Sequence, residues 1–373
     1  MTVFPDNKPV IMINEQFLEL LRCGMYRVSP DLRLFEHVDW DALFQMSVVQ
    51  TVVGVVLDGV ELLPQGLQPA TILKLRWVML VRQIEIQNEK LDNRVIHICD
   101  FFSSMGLSPM VIKGQVISRY YPYPDHRQAG DIDLFFTKRQ EVEKANIWAK
   151  NNTRCYSVVN EKELAYRLED VIVENHIRLA DMQYGCYQDN LQKIIQDELI
   201  EENGSFVKIR EARVRTLPAT LTVLHLIIHI QYHLLNEGLG WRQMCDLAMV
   251  LNDQELIGCL DRDALNSYLS QIGLKRMSAA IGYVLFAELG LSRDKIPFDI
   301  SSFGADIIVD DIWTGGNFGK KRFAFKGNVG FVRQKIMAMP LHWRQYRKYR
   351  KLLPNEAWAN FLVKFKRVAK GIK

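Results

Sequence analysis

MVIKGQVISRYYPYPDHRQAGDIDLFF, residues 110–136, is the stretch on which the reading of this chain turns. It reads as a short buried strand ending at Lys113-Gly114, a small helix over 114–121, a polar loop over 122–129, and a strand over 131–136. Side chains alternate along a strand, so Asp131 and Asp133 share one face while Ile132 and Leu134 point to the core. Two carboxylates side by side repel each other unless a cation lies between them. Hard divalent cations, above all Mg²⁺, suit such an all-oxygen setting and are usually completed by substrate phosphates. The stretch is therefore a candidate metal–nucleotide site.

Its neighbours extend the pattern. Lys113-Gly114 sets a cation and a pliable backbone turn ahead of the pair, and Arg127 stands just before it. Downstream come a helix over 139–151 and strands over 155–159 and 169–177. In Val171-Ile-Val-Glu-Asn-His176 an apolar strand is interrupted by Glu174 and His176 on one face. Burying a lone Glu there is costly, and a third carboxylate facing the first two relieves that cost through the same metals. Alternating strands and helices predict a small mixed sheet with helices against it, an α/β (α+β) fold.

Upstream, residues 14–105 read as helical, with a first helix capped by Asn14. A second starts at Asp39 or Asp41 and runs through Leu57, and a long one runs from Thr71 to Met105. No chemistry is visible there, and the region reads as a helical cap. A polar segment covers Asp181–Asn203, a strand or turn covers Ser205–Val214, and helices return from Pro218 with a break at Glu237–Gly240. Four regions are expected: helical 1–105, a catalytic core 106–215, a helical domain 216–310, and a basic tail with an amphipathic helix, 311–373.

The 373 residues suffice for two or three domains, and their charged and apolar fractions are those of a globular protein. Charge is uneven: from Asp311 onward sixteen Lys/Arg stand against two acids, leaving 31 basic and 41 acidic residues before it. An acidic body with a basic tail points to a partner. The six cysteines form no CxxC pair, which suits a reducing compartment. The N-terminus lacks the apolar run of a signal peptide, and the apolar stretch Ala42–Leu57 is shorter than the ~20 residues of a membrane span. A cytoplasmic location is expected, peripheral at the inner face of the membrane if the tail binds lipid.

K-G, then R-x-x-G-D-x-D-L, then a strand ending E-x-H resembles the nucleotidyltransferase-fold (DNA polymerase beta-like) superfamily. It is most similar to the superfamily's bacterial branch of uncharacterised nucleotidyltransferases. The segment LPATLTVLHLIIH…GLGWRQMCDLAMVL is similar to that branch's helical C-terminal part, so the resemblance spans roughly 40–260. It implies transfer of a nucleoside monophosphate from an NTP to an acceptor hydroxyl. Asp131, Asp133 and Glu174 would be catalytic and hold two Mg²⁺ ions, for which Mn²⁺ can substitute. Lys113, Gly114, Gln115, Arg127 and Gly130 would bind the nucleotide. The sequence departs from many superfamily members in having Gly114-Gln115 where they have Gly-Ser, and Glu174 where Asp is common.

His225, His229 and His233 recur at helical spacing. They are either a metal pair of the H-x-x-x-H kind or a polar stripe facing cleft or solvent. His229 and His233 are assigned to nucleotide contact, and His176, Arg242 and Asp246 to the border of the cleft. The acceptor is open: tRNA, protein or sugar. Alternatives are a catalytically inactive nucleotide-binding scaffold or sensor, a toxin-like enzyme modifying tRNA, and an accessory protein of surface-polysaccharide assembly at the membrane. Residues 342–373 combine a dense cationic run with a helix bearing Trp358, Phe361, Leu362 and Phe365 on one face. That suits an anionic membrane surface, RNA, or simple docking on the body.

Overall fold

The computed structural model describes residues 8–159, 163–199, 204–315 and 331–370. The chain forms two compact units, one of residues 1–179 with 204–218, the other of 180–203 with 219–373. In the first, helices α1 (Lys8–Tyr26), α2 (Trp40–Val49), α3 (Val53–Val60) and α4 (Thr71–Ser104) precede the sheet. Asp39 caps α2 by accepting from the Ala42 N–H. Two details differ from expectation. Asn14 lies inside α1, and the stretch 42–57 is two helices parted at Thr51, whose positive φ of 55° ends the first.

The sheet follows: β1 (Met110–Val111), a one-turn helix α5 (Gln115–Ser118), β2 (Asp131–Phe135), α6 (Arg139–Asn152), β3 (Arg154–Val159), β4 (Glu163–Leu168) and β5 (Val171–His176). Its order is β1-β2-β5-β4-β3, with β2 and β5 parallel and the other pairs antiparallel. It is a small mixed sheet between helical regions, as the alternation predicted. A separate hairpin, β6 (Ser205–Ile209) and β7 (Ala212–Thr216), completes the unit.

Strand β4 was not foreseen. Leu164 and Tyr166 of its Glu-Leu-Ala-Tyr-Arg-Leu are buried, but only two residues, Glu169 and Asp170, part it from β5. Glu169, at φ 52°, makes the tight reversal into β5. One face of the sheet supplies the core. Ile132, Leu134, Leu164, Tyr166, Val171 and Val173 pack with Leu91, Val95, Ile98 and Phe102 of α4 and with Val142, Ala145 and Ala149 of α6. Each Val, Leu, Ile or Phe among them contributes about 1.5–3 kcal/mol by leaving water. The other face carries the polar residues described below.

In the second unit α7 (Gly185–Leu199) occupies the segment that composition marked only as polar; Leu191, Ile194, Ile195 and Leu199 form its buried stripe. Helix α8 (Ala219–Asn236) is buried almost all round. The chain then turns at Gly238, φ 101°, into α9 (Trp241–Asn252), where the sequence placed the break. There follow α10 (Gln254–Gly258), α11 (Arg262–Gln271), α12 (Lys275–Ala287), α13 (Ala305–Gly315), α14 (Phe331–Tyr349) and α15 (Pro354–Lys370). Among the described residues no helix is long and apolar enough to cross a membrane.

Candidate metal–nucleotide site

Parallel pairing of β2 with β5 sets Asp131 opposite Ile172 and Asp133 opposite Glu174, so the two strands bring their acids to one face in register. On that face His176 reaches diagonally back: its Nε2 lies 2.8 Å from Asp133 Oδ1 and 3.5 Å from Glu174 Oε2. Glu163, paired with His176 from β4, sits 3.4 Å from its Nδ1. Donor atoms of Asp133, Glu174 and His176 all lie within 4.8 Å of one another, the one such cluster of three among the described residues.

Asp133 is fully buried, Glu174 half-buried, and Asp131, one pleat along β2, half-buried. Lys113 donates from Nζ to Asp133 Oδ1 at 2.9 Å. Burial would raise the Asp133 carboxyl, but the Lys113 charge and the His176 hydrogen bond outweigh it and hold the group well below the usual carboxylate range. Burial would pull Lys113 down; Asp133, Asp131 and Glu174 together hold it above the ordinary lysine value. His176 follows the same logic, with burial opposed by hydrogen bonds to Asp133 and Glu174, and its net shift is upward.

Whether these residues fit a divalent cation is tested by the second oxygen. Asp133 Oδ2 is buried and has no hydrogen-bond partner, a costly arrangement for an acceptor-only group. Two carboxylates and an imidazole suit a divalent ion, with the nitrogen giving Mn²⁺ a better donor set than Mg²⁺ alone requires. The residues fit. His176, which the sequence placed only at the cleft border, is central to the cluster, and the E-x-H spacing on one strand face was the signal.

The residues expected to bind nucleotide have distinct places. Gly114 has φ 64° and ψ −112°, a conformation closed to residues with a Cβ, and a methyl there would crowd the Asp131 carbonyl oxygen at 3.3 Å. The Lys113-Gly114 turn is thus seated against the start of β2. Gln115 is buried, with its amide donating to Asn88 Oδ1 at 3.4 Å, so its side chain is turned into the protein. Arg127 is buried and Gly130 exposed. His229 and His233, in the second unit, face each other Nε2 to Nε2 at 3.1 Å, and His233 Nδ1 lies 3.3 Å from Glu237. Arg242 and Asp246 both belong to α9, where Asp246 is buried.

The N-terminal helices hold this site together, a role that their sequence did not reveal. Asn88 of α4 donates to the carbonyls of Asp125 and Arg127 at 2.7 and 2.9 Å, fixing the loop that carries Arg127. Buried Asp92 of α4 receives Arg119 and Arg210. On the same loop His126 bridges Asp58 of α3 (2.7 Å) and Glu85 of α4 (3.0 Å).

This bridge makes stability pH-dependent. Burial opposes the His126 charge, but Asp58 and Glu85 outweigh it and raise its affinity for the proton. A raised folded value means stability fully present below the unfolded value of about 6.5 and lost as pH climbs through the folded one. Asp58 is itself raised, by burial that its hydrogen bond to His126 only partly offsets. His126→Asn is therefore expected to destabilise by about 1–3 kcal/mol near pH 6. The difference should shrink toward pH 9, as read from urea midpoints; a constant difference would exclude the charged bridge.

A family model described as "Uncharacterised nucleotidyltransferase" matches residues 36–289. No curated protein matches the chain. One solved structure, an antigenic nucleotidyltransferase-like protein from Paracoccidioides brasiliensis, aligns at 14% identity over 58% of this chain and 96% of its own, with a TM-score of 0.35. That likeness is too loose to bear on the site.

Proposed function

This chain belongs to the family of uncharacterised nucleotidyltransferases, and from that premise we propose that it moves a nucleoside monophosphate from an NTP to an acceptor hydroxyl. The observation that supports this most is the register of Asp133 with Glu174, together with the buried Asp133 oxygen that lacks a hydrogen-bond partner. Asp131, Asp133 and Glu174 are the residues assigned to hold divalent cations, two Mg²⁺ with Mn²⁺ as substitute. Such ions, when bound, polarise the phosphoryl oxygens and lower the pKa of an attacking hydroxyl.

The chain's own groups divide the remaining work. The Lys113 ammonium is partly exposed, so it can leave Asp133 and offset triphosphate charge. Gly114 lets backbone N–H groups approach the phosphates closely. Half-buried Glu174 is the carboxylate set for the acceptor hydroxyl. Gln115, Arg127, Gly130, His229 and His233 are assigned to nucleotide contact, and Arg242 and Asp246 to the border of the cleft. A cytoplasmic setting follows from the NTP donor.

A second reading has its own support. Lys113 and His176 already neutralise Asp133, which suits an inactive chain that binds nucleotide as a scaffold or sensor. Acceptor identity separates the active versions: tRNA gives a toxin-like enzyme, sugar an accessory of surface-polysaccharide assembly. Region 342–373 is then left for an anionic partner, membrane or RNA.

Incubating the protein with each of the four α-labelled NTPs, Mg²⁺ or Mn²⁺, and total cell extract tests the proposal. Pyrophosphate release and label in one fraction from one NTP are expected. Tight NTP binding with no labelled fraction would end the transferase reading and leave the sensor.

A further inference from the structure

Helices α14 and α15 form a hairpin with two unlike sides. Its inner side is fixed by specific polar contacts within the second unit. Glu356 accepts from the backbone N–H groups of Gln183 and Tyr184, Asn360 donates to Asn236, and Lys364 donates to the Leu235 carbonyl at 2.8 Å. Buried Tyr349 donates to Asp311, and Lys348 pairs with Asp310. On α15 residues 356, 360 and 364 follow one another at i, i+4, so this is one face of the helix.

The opposite side is apolar at its centre and cationic around it. Trp343, Trp358 and Phe365 are 47%, 42% and 51% exposed. They belong to one aromatic band with Tyr346 and Phe361, each ring 5.2–6.4 Å from the next. Helical spacing puts Arg347 and Arg350 in the stripe of Trp343, with Arg344 and Lys351 beside them. All four are exposed, and none makes an ion pair among the described residues. Lys366, also exposed, follows Leu362 on the outer side of α15.

We propose that this outer face binds an anionic lipid bilayer, lying flat at the headgroup level. Trp343, Trp358 and Phe365 enter the acyl boundary while Arg344, Arg347, Arg350, Lys351 and Lys366 meet lipid phosphates. The occupant is argued from charge and ring geometry. An apolar band rimmed by unpaired cations matches a surface that is apolar below and anionic above. Single-stranded RNA would need free ring faces for its bases. Here Trp358 and Phe361 stack on each other at 27°, and Tyr346 lies tilted against both, so these rings spend faces on their neighbours. No described helix spans a membrane, so the contact is interfacial. The proposal does not depend on nucleotidyl transfer.

Co-sedimentation of the full chain with vesicles of phosphatidylcholine, alone or mixed with phosphatidylglycerol, tests it. Partition onto the mixed vesicles should exceed that onto phosphatidylcholine and weaken with salt. Arg344→Gln/Arg347→Gln/Arg350→Gln, which leaves every ring in place, should lower it about a hundredfold. Trp343→Ser/Trp358→Ser/Phe365→Ser should lower it by about tenfold or more. No partition at low salt, or partition untouched by the charge variant, overturns the proposal. Capture by single-stranded polyuridine without vesicle binding also overturns it, in favour of nucleic acid.

Discussion

Asp133→Asn should lower nucleotidyl transfer by a factor on the order of 10³ or more, since it removes a charged group that would face the reacting phosphate. The substitution keeps the side chain's size, so the packing of β2 against β5 survives. What disappears is the negative charge on which Lys113 and His176 converge. Both can adapt: Lys113 is partly exposed and can turn to water, and His176 can shed the proton that Asp133 helps it retain. The variant should therefore fold, with its thermal midpoint lowered by only a few degrees. Activity and folding can then be read separately. Pyrophosphate release within threefold of the parent would remove Asp133 from catalysis and with it the metal reading of the cluster. Unchanged NTP binding beside lost turnover is the expected combination, because Lys113, no longer tied to Asp133, remains available to the triphosphate.

The legible part of this site was what a strand's period can express. Asp131-x-Asp133 and Glu174-x-His176 each announce one face, and β-branched Ile132, Val171 and Val173 at alternate positions announce the core on the other. That the two faces coincide depends on β2 lying parallel to β5 in register, which no local pattern encodes. Long helices were legible for the same reason, as the 34 residues of α4 show. Misses fell where the local signal was weak: β4 sets charged Glu163 and Arg167 among its apolar residues, and α7 carries its apolar stripe in a polar composition. The deepest omission was Asn88, an ordinary polar residue on a helix. Its importance comes only from the two loop carbonyls that tertiary structure places before it.

The packing of α1 on α3 gives the largest expected effect on stability. A methyl on Gly24 would overlap the Val55 carbonyl oxygen, and one on Gly59 would overlap the Leu20 carbonyl oxygen. Each helix thus uses a glycine where the other's backbone touches it, and neither carbonyl is the end of a flexible side chain that could yield. A Cβ at either place must push the helices apart, unpacking buried Phe17, Leu20, Leu21, Val55, Val56 and Val60. Gly24→Ala and Gly59→Ala should each cost about 3 kcal/mol or more by urea unfolding. Gly66→Ala, where nothing lies within 4 Å, should cost little. The double variant should cost less than the sum, because the first substitution already opens the interface that the second would strain. Helix α3 also carries Asp58, which holds His126, and Gly54, whose missing side chain leaves room for the His126 carbonyl. Opening the α1–α3 contact should therefore reach the loop of Arg127, and NTP affinity should fall in the fraction that remains folded. Equal affinity in parent and Gly59→Ala would show that the helical region supports the sheet without steadying that loop.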